Sequence, residues 1–305
     1  MPTTYPPPAP TVQGDTVTAN RFLNSQTVVA RRVKELASER MIALSLLSGR
    51  ETTNSGSASI EIDDELFTDR PVEQVAPGSE YTLTTIGDGT MQVIKTVKWG
   101  QDVPITDEAI ARRAMSPVER ALTKLVNTGT TNVDQVALAL LASSVTQTHA
   151  AAAPWSAGDS ADPLKDLLLA KAKIRALNLG YEPNALVVDD LTWAYLASNK
   201  AITNAMARET QSNPIVTGEY AQIAGLMIWP TPNAPGPGAW MVDTSQLGGL
   251  LTEDLGGGYA KAGDVIETKS IRKDDTDSWL VRARAVCTPY VSAPNAAIRI
   301  TGVSA

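Results

Sequence analysis

The chain has little of what site chemistry usually needs. Its 305 residues include one cysteine, one histidine and two phenylalanines. One cysteine excludes an internal disulfide and a thiolate metal cluster. Cys287 lies in an alternating, strand-like run, where it reads as a small buried hydrophobe. His149 sits in an Ala/Thr-rich stretch, and the chain has no Gly-x-Ser-x-Gly elbow. It reads as an exposed loop residue rather than part of a triad. Aromatic residues make up 5% of the chain, so alanine, valine and leucine must carry most of the core. No apolar run approaches the ~20 residues that cross a bilayer. Met1–Gln13 is rich in proline and threonine and lacks the basic start and apolar stretch of a secretory signal, so a cytoplasmic chain with no membrane partner is expected.

Three acidic or glycine-rich clusters invite a chemical reading and do not sustain it. Asp274-Asp275-Thr276-Asp277 lacks the glycine and glutamate of a calcium loop and reads as a polar hairpin turn. Asp189-Asp190 falls between a strand pattern and a helix pattern, which predicts N-capping. Gly256-Gly257-Gly258 has no phosphate-loop lysine and reads as a flexible hinge. The expectation is no catalytic residue, no cofactor and no metal.

Charge is unevenly spread. The formal net charge is -7. Residues 1–50 carry six basic and three acidic groups, whereas residues 51–94 carry nine acidic groups and a single cation, Arg70. Such a segment is built to meet a complementary surface. Glu61, Asp63, Asp64, Glu65, Arg70 and Glu73 are therefore candidate inter-subunit contacts. Arg31, Arg32 and Lys34 are candidates for facing DNA, through phosphates and without sequence preference; a solvated helix face is the competing reading.

Five prolines between Pro2 and Pro10 predict an extended arm over Met1–Val17. Apolar spacing then predicts a helix from Ala19 to Leu47. Strand-like pieces follow at Ser59–Ile62, Tyr81–Ile86 and Met91–Trp99, the last two flanking Gly87-Asp88-Gly89 as a hairpin. A two-stranded ribbon is marginal alone, so it needs a neighbour to lie on. A helix opens at Thr106, and Ser116-Pro117-Val118-Glu119 reads as a capping box for a long helix over Pro117–Ser143. A linker over Ser144–Ala161 leads to a helix from Asp162-Pro163 to Leu179, a strand at Ala185–Val188, a helix to Ser198, and a short helix at Ile202–Arg208. Strands at Gly225–Trp229 and Ala239–Val242 complete an α/β block. The chain closes with a hairpin of Val265–Arg272 and Trp279–Cys287 and a strand at Ala296–Ile300.

This order resembles the tailed-bacteriophage major capsid family with the Hong Kong 97-like fold. The sharpest local pieces are Ile223-Ala-Gly-Leu-Met-Ile-Trp-Pro230, followed by Ala234-Pro-Gly-Pro-Gly-Ala-Trp-Met-Val-Asp243, and the closing run Trp279-Leu-Val-Arg-Ala-Arg-Ala-Val286. The resemblance spans about residues 19–301. It implies an α+β fold in four parts. These are an N-terminal arm and helix (1–50), an extended loop (51–94), a peripheral domain with a long spine helix (95–155 and 251–305), and an axial domain (156–250). It also implies a shell of homo-hexamers and homo-pentamers around double-stranded DNA in a virion assembled in the host cytoplasm. Portal protein and a separate scaffold or cement protein are the implied partners. About 18 residues precede the first predicted helix, so no fused scaffold is expected. Some relatives form a lysine–asparagine isopeptide bond from the extended loop. Residues 51–94 contain no lysine, so this lock is not expected here. An encapsulin-type shell and a soluble α/β hydrolase-like enzyme are the alternatives.

Overall fold

A long amphipathic helix and a strand that changes partners organise the molecule. The structure, a computed structural model, describes residues 16–38, 41–62, 68, 70–85, 89–200, 202, 222–236 and 238–304. The arm over 1–15, Asp63, Asp64 and Glu65, the Gly87-Asp88 turn and most of the predicted helix at 202–208 lie outside these.

The first predicted helix is three: α1 (Thr16–Asn24), α2 (Gln26–Ser38) and α3 (Ala43–Leu46). The break after α1 has a local cause. The Ser25 carbonyl accepts from Val28 and Val29, while the Asn24 amide turns back to the Asn20 carbonyl. Short polar side chains compete with the helical ladder in this way. Phase is kept nonetheless, because Leu23, Val29, Val33 and Leu46 all enter one core.

Next come β1 (Gly49–Thr53), β2 (Ser57–Ile62), β3 (Thr90–Lys95) and β4 (Lys98–Thr106). The ribbon is β2 against β3, with Ile60 opposite Gln92. The predicted hairpin strand at Tyr81–Ile86 is not formed over its described residues, 81–85. The reason is packing. Ile60 and Ile94 reach Leu251 and Tyr290, whereas Tyr81 and Leu83 are exposed and meet no core.

Helix α4 (Asp107–Arg113) is capped by the Thr106 hydroxyl, which accepts from the Ala109 amide at 3.3 Å. Ala114 then turns with a left-handed φ of 51° and α5 (Ser116–Ser144) begins. The predicted capping box is displaced: Met115 is the cap residue and Ser116 is already helical. Pro117 still occupies the first turn, where its missing N–H costs nothing. The 29 residues of α5 span about 43 Å at 1.5 Å each. Val118, Leu122, Leu125, Val133, Leu138 and Leu141 form its buried stripe. Each such side chain contributes roughly 1.5–3 kcal/mol on burial.

The remaining elements are β5 (Thr148–Ala150), α6 (Pro163–Ala176), β6 (Ala185–Val188), α7 (Asp190–Ser198), β7 (Gln222–Ile223), β8 (Leu226–Pro230), β9 (Ala239–Val242), β10 (Gly248–Glu253), β11 (Ala260–Lys261), β12 (Ile266–Lys273), β13 (Ser278–Val291) and β14 (Ala297–Thr301). They make two six-stranded sheets. One has the order β1-β10-β13-β12-β11, with β4 also on β13; the other has the order β5-β14-β9-β6-β8-β7. β13 alternates: Trp279, Val281, Ala285, Cys287 and Val291 join the α5 core. β6 is buried on both faces. Val187 points to the α5 core and Leu186 and Val188 to a second core with Leu167 and Ile174 of α6. A strand covered on both sides reads as an unbroken apolar run, as here. The second sheet draws on residues outside 156–250, because β14 pairs with β9 and β5 with β14.

Candidate functional site

The segment that leaves the body between β1 and β4 is the feature least explained by the chain's own packing. Its root is firm. β1 pairs in parallel with β10, and Gly49 faces Gly249 so closely that a Cβ on Gly249 would lie 2.5 Å from the Gly49 carbonyl oxygen. The Tyr290 hydroxyl donates to Glu51 at 3.1 Å. Burial, with the Glu51 charge beside it, pushes that phenol up to about 12. The Thr96 hydroxyl bonds Glu253, and Thr288 Oγ1 donates to the Lys95 carbonyl at 2.8 Å while accepting from the Val97 amide at 3.1 Å.

Beyond the root the segment is bare. Val72, Tyr81 and Leu83 are 102%, 86% and 92% exposed. Glu61, on β2, accepts the Gly89 amide at 2.6 Å. Glu73 accepts from the Thr82 hydroxyl at 3.2 Å, and Arg70 is exposed. The structure thus gives Glu61 and Glu73 separate local ties, and Arg70 is the third of the candidate contacts that lies among the described residues. Arg31, Arg32 and Lys34 are exposed on α2, with Arg32 bonded to Glu35 at 3.2 Å.

The body by contrast is rich in satisfied charge. Arg282 grips Asp102 with two bonds of 2.6 Å, and Arg272 grips Asp107 at 2.7 and 2.8 Å. These hydrogen bonds hold both carboxyls below the usual aspartate range. Arg284 and Glu267 form a buried pair, with side chains 6% and 10% exposed, and the guanidinium stacks 3.5 Å from the centre of the Tyr259 ring. The predicted glycine hinge is pinned to this network. Gly256 and Gly257 turn with left-handed φ, and their carbonyls accept from Arg284 and Lys269. Asp134 of α5 is buried and receives the amides of Ile42 and Ala43 at 3.3 and 2.8 Å. Desolvation raises its pKa despite those bonds.

Two further expectations change. His149 is buried, in β5 and not in an exposed loop, because parallel pairing with β14 covers it. Desolvation lowers its pKa, with Lys173 adding to the effect. Asp189 stands at the cap position of α7, yet its side chain makes no capping bond. Cys287 is buried as predicted, and desolvation pushes its thiol up to about 11. Asp274–Thr276 forms a short turn at the hairpin tip, with Asp274 bonded to Arg272. Among the described residues no group of three His, Cys, Asp or Glu side chains could hold a metal, and no helix is long and apolar enough to cross a membrane.

Sequence patterns did not reveal a groove of about 500 Å3 between β4, α4 and α5. Arg112, Arg113, Arg120 and Lys124 line it and are exposed. The available signal was four cations in thirteen positions beside acids that other arginines neutralise.

The family model described as phage capsid protein matches residues 90–300. No curated protein matches. Solved structures do. A phage-related protein from Bordetella bronchiseptica aligns at a TM-score of 0.57 with 13% identity, covering 90% of this chain and 96% of that one. The capsid of cyanophage P-SCSP1u aligns at 0.60 with 16% identity, covering 82% and 85%. A chain of Microbacterium phage Oxtober96 aligns at 0.60 with 13% identity, covering 86% and 90%. At these identities the structural likeness establishes the α+β fold, and the encapsulin alternative is not favoured. With the family match spanning the long helix, most of both sheets and the closing hairpin, the chain belongs to the phage capsid protein family and is a structural capsid protein.

Proposed function

We propose that this chain is the repeated subunit of an icosahedral phage head, assembling with itself into hexamers and pentamers around double-stranded DNA, and that it is not an enzyme. One observation carries the reading: residues 71–85 expose valine, tyrosine and leucine side chains that the subunit's own core does not cover. Exposed apolar side chains gathered on one acidic segment mark an interaction surface. Residues 51–94 then act as the extended loop that overlaps a neighbour. Residues 1–50 form the N-terminal arm, and 95–155 with 251–305 form the peripheral domain around α5. Residues 156–250 form the axial domain, whose sheet borrows β5 and β14. Many modest contacts, repeated by symmetry, sum to a stable shell.

Glu61, Asp63, Asp64, Glu65, Arg70 and Glu73 belong to the subunit boundary in this reading. Arg31, Arg32 and Lys34 face packaged DNA and touch phosphates only. Assembly takes place in the host cytoplasm, with portal protein and a separate scaffold or cement protein as partners. Without a lysine in residues 51–94, the loop is held by noncovalent contacts.

The test replaces residues 63–89 by a two-residue Asn-Gly turn between β2 and β3. The variant should stay folded by circular dichroism and form no closed shells in electron micrographs. Normal shells from this variant would remove the basis of the proposal.

A further inference from the structure

Helix α5 has a gap in its buried row. Leu125, Gly129 and Val133 follow one another at intervals of four, and the middle residue brings no side chain. A Cβ on Gly129 would meet no heavy atom within 4 Å. The sheet beneath is cut back at the same place. Ala283 and Ala285 of β13 stand opposite Gln101 and Trp99 of β4, and cross-strand partners share one face. A cavity of about 350 Å3 results between α5, β4, β12 and β13. Its lining has a definite chemistry. Leu125, Val126 and Ile266 are buried and form an apolar floor. Trp99 is 36% exposed and supplies an aromatic wall. Gln101 and Asn132 bring carboxamides that bond to no described residue. The charged lining residue, Arg284, is already engaged: it donates to Glu267 and to the Gly256 carbonyl, both at 2.8 Å, and stacks on the Tyr259 ring.

We propose that this cavity is a binding site for a small, uncharged, fused two-ring aromatic molecule. Size, charge and shape each narrow the class. An apolar cavity of about 150 Å3 takes up benzene, so about 350 Å3 has room for two rings. The volume lies at the small end of ligand pockets, which run from about 300 to 1,000 Å3 and combine apolar walls with a few polar groups. A charged ligand would lose its hydration without gaining a partner, because Arg284 already has its own. A flat ring stacks on the Trp99 indole, offset or edge to face. The Gln101 and Asn132 carboxamides can each give or take a hydrogen bond, which orients a molecule with one polar atom. A ligand held here touches the long helix on one side and the strands β4 and β13 on the other. Binding therefore clamps helix to sheet and stabilises the folded subunit by mass action. The site lies within one subunit and does not depend on how the shell is built.

The test uses indole as the probe and the unassembled full-length chain. Titration calorimetry should show saturable binding at a single site per chain, and saturating indole should raise the midpoint of thermal unfolding. Gly129→Leu restores the side chain that the row lacks. That variant should unfold a few degrees above the wild type without ligand, since glycine is a poor helix former, and should bind indole on the order of tenfold or more weakly, because leucine occupies the cavity. Indole-carboxylate should bind the wild type on the order of tenfold more weakly than indole, for want of a free cation. No saturable heat up to the solubility of indole overturns the proposal, as does equal affinity for the wild type and a folded Gly129→Leu chain. Tighter binding of the carboxylate overturns the ligand class, since Arg284 would then be open to an anion. If Gly129→Leu does not fold, Trp99→Ala decides: it removes the stacking wall and should weaken indole severalfold, and unchanged affinity would place the probe elsewhere.

Discussion

Two regions of this protein obey different physical rules. Around α5 nearly every large apolar side chain is covered, and the arginines of β12 and β13 hold carboxylates of their own chain. In residues 70–85 the apolar side chains face solvent and the acids have at most a local hydroxyl for company. The body is stabilised by what it buries; residues 51–94, the flap, are stabilised only at their root. On the reading proposed above, assembly surface and folding core are separate parts of one chain, so each can be damaged without the other.

Four measurements would break or sharpen that contrast. The largest effect belongs to Arg284→Ala, which strands the buried Glu267 carboxylate. Urea denaturation should show a loss of about 4 kcal/mol, and a paired replacement of both residues by methionine should recover most of it. Leu138→Ala, in the α5 stripe, should cost about 3 kcal/mol in the same assay through the cavity it leaves. A smaller effect is pH-dependent. Asp134 has a folded pKa above its unfolded value, so its contribution to stability is full below the ordinary aspartate range and declines as pH rises through the elevated value. The wild type should therefore gain on Asp134→Asn as pH falls from neutral toward 4; a gap independent of pH would deny the burial cost. Last, Leu83→Ser should move the unassembled subunit's midpoint by no more than about 0.5 kcal/mol while impairing shell formation. A loss there as large as that of Leu138→Ala would erase the distinction between the two regions.

Sequence alone reveals what local pattern controls. The long period of α5, the Asp162 cap of α6 and the closing hairpin are all legible, because each signal sits within a few residues of its effect. What escapes is decided by distant partners. Tyr81 and Leu83 alternate like strand residues, but β3 instead pairs with β2, where Leu251 and Tyr290 offer cover. His149 looks like a loop residue until β14, far along the chain, lies over it. The break at Ser25 depends on a competition between side-chain and ladder bonds that apolar spacing does not register. The cationic groove needs β4, α4 and α5 together, and no single stretch announces it.

The parallel joint between β1 and β10 has a mechanical consequence. The chain leaves β1 through a bend at residues 54–56 and enters β2, so a pull on the flap is passed along the chain to β1. Its ladder with β10, from Gly49 opposite Gly249 to Thr53 opposite Glu253, then carries the load in shear. In that geometry the rungs must yield together instead of unzipping one after another. Two apposed glycines let the strands of this joint sit close together, and a side chain at either position would force them apart.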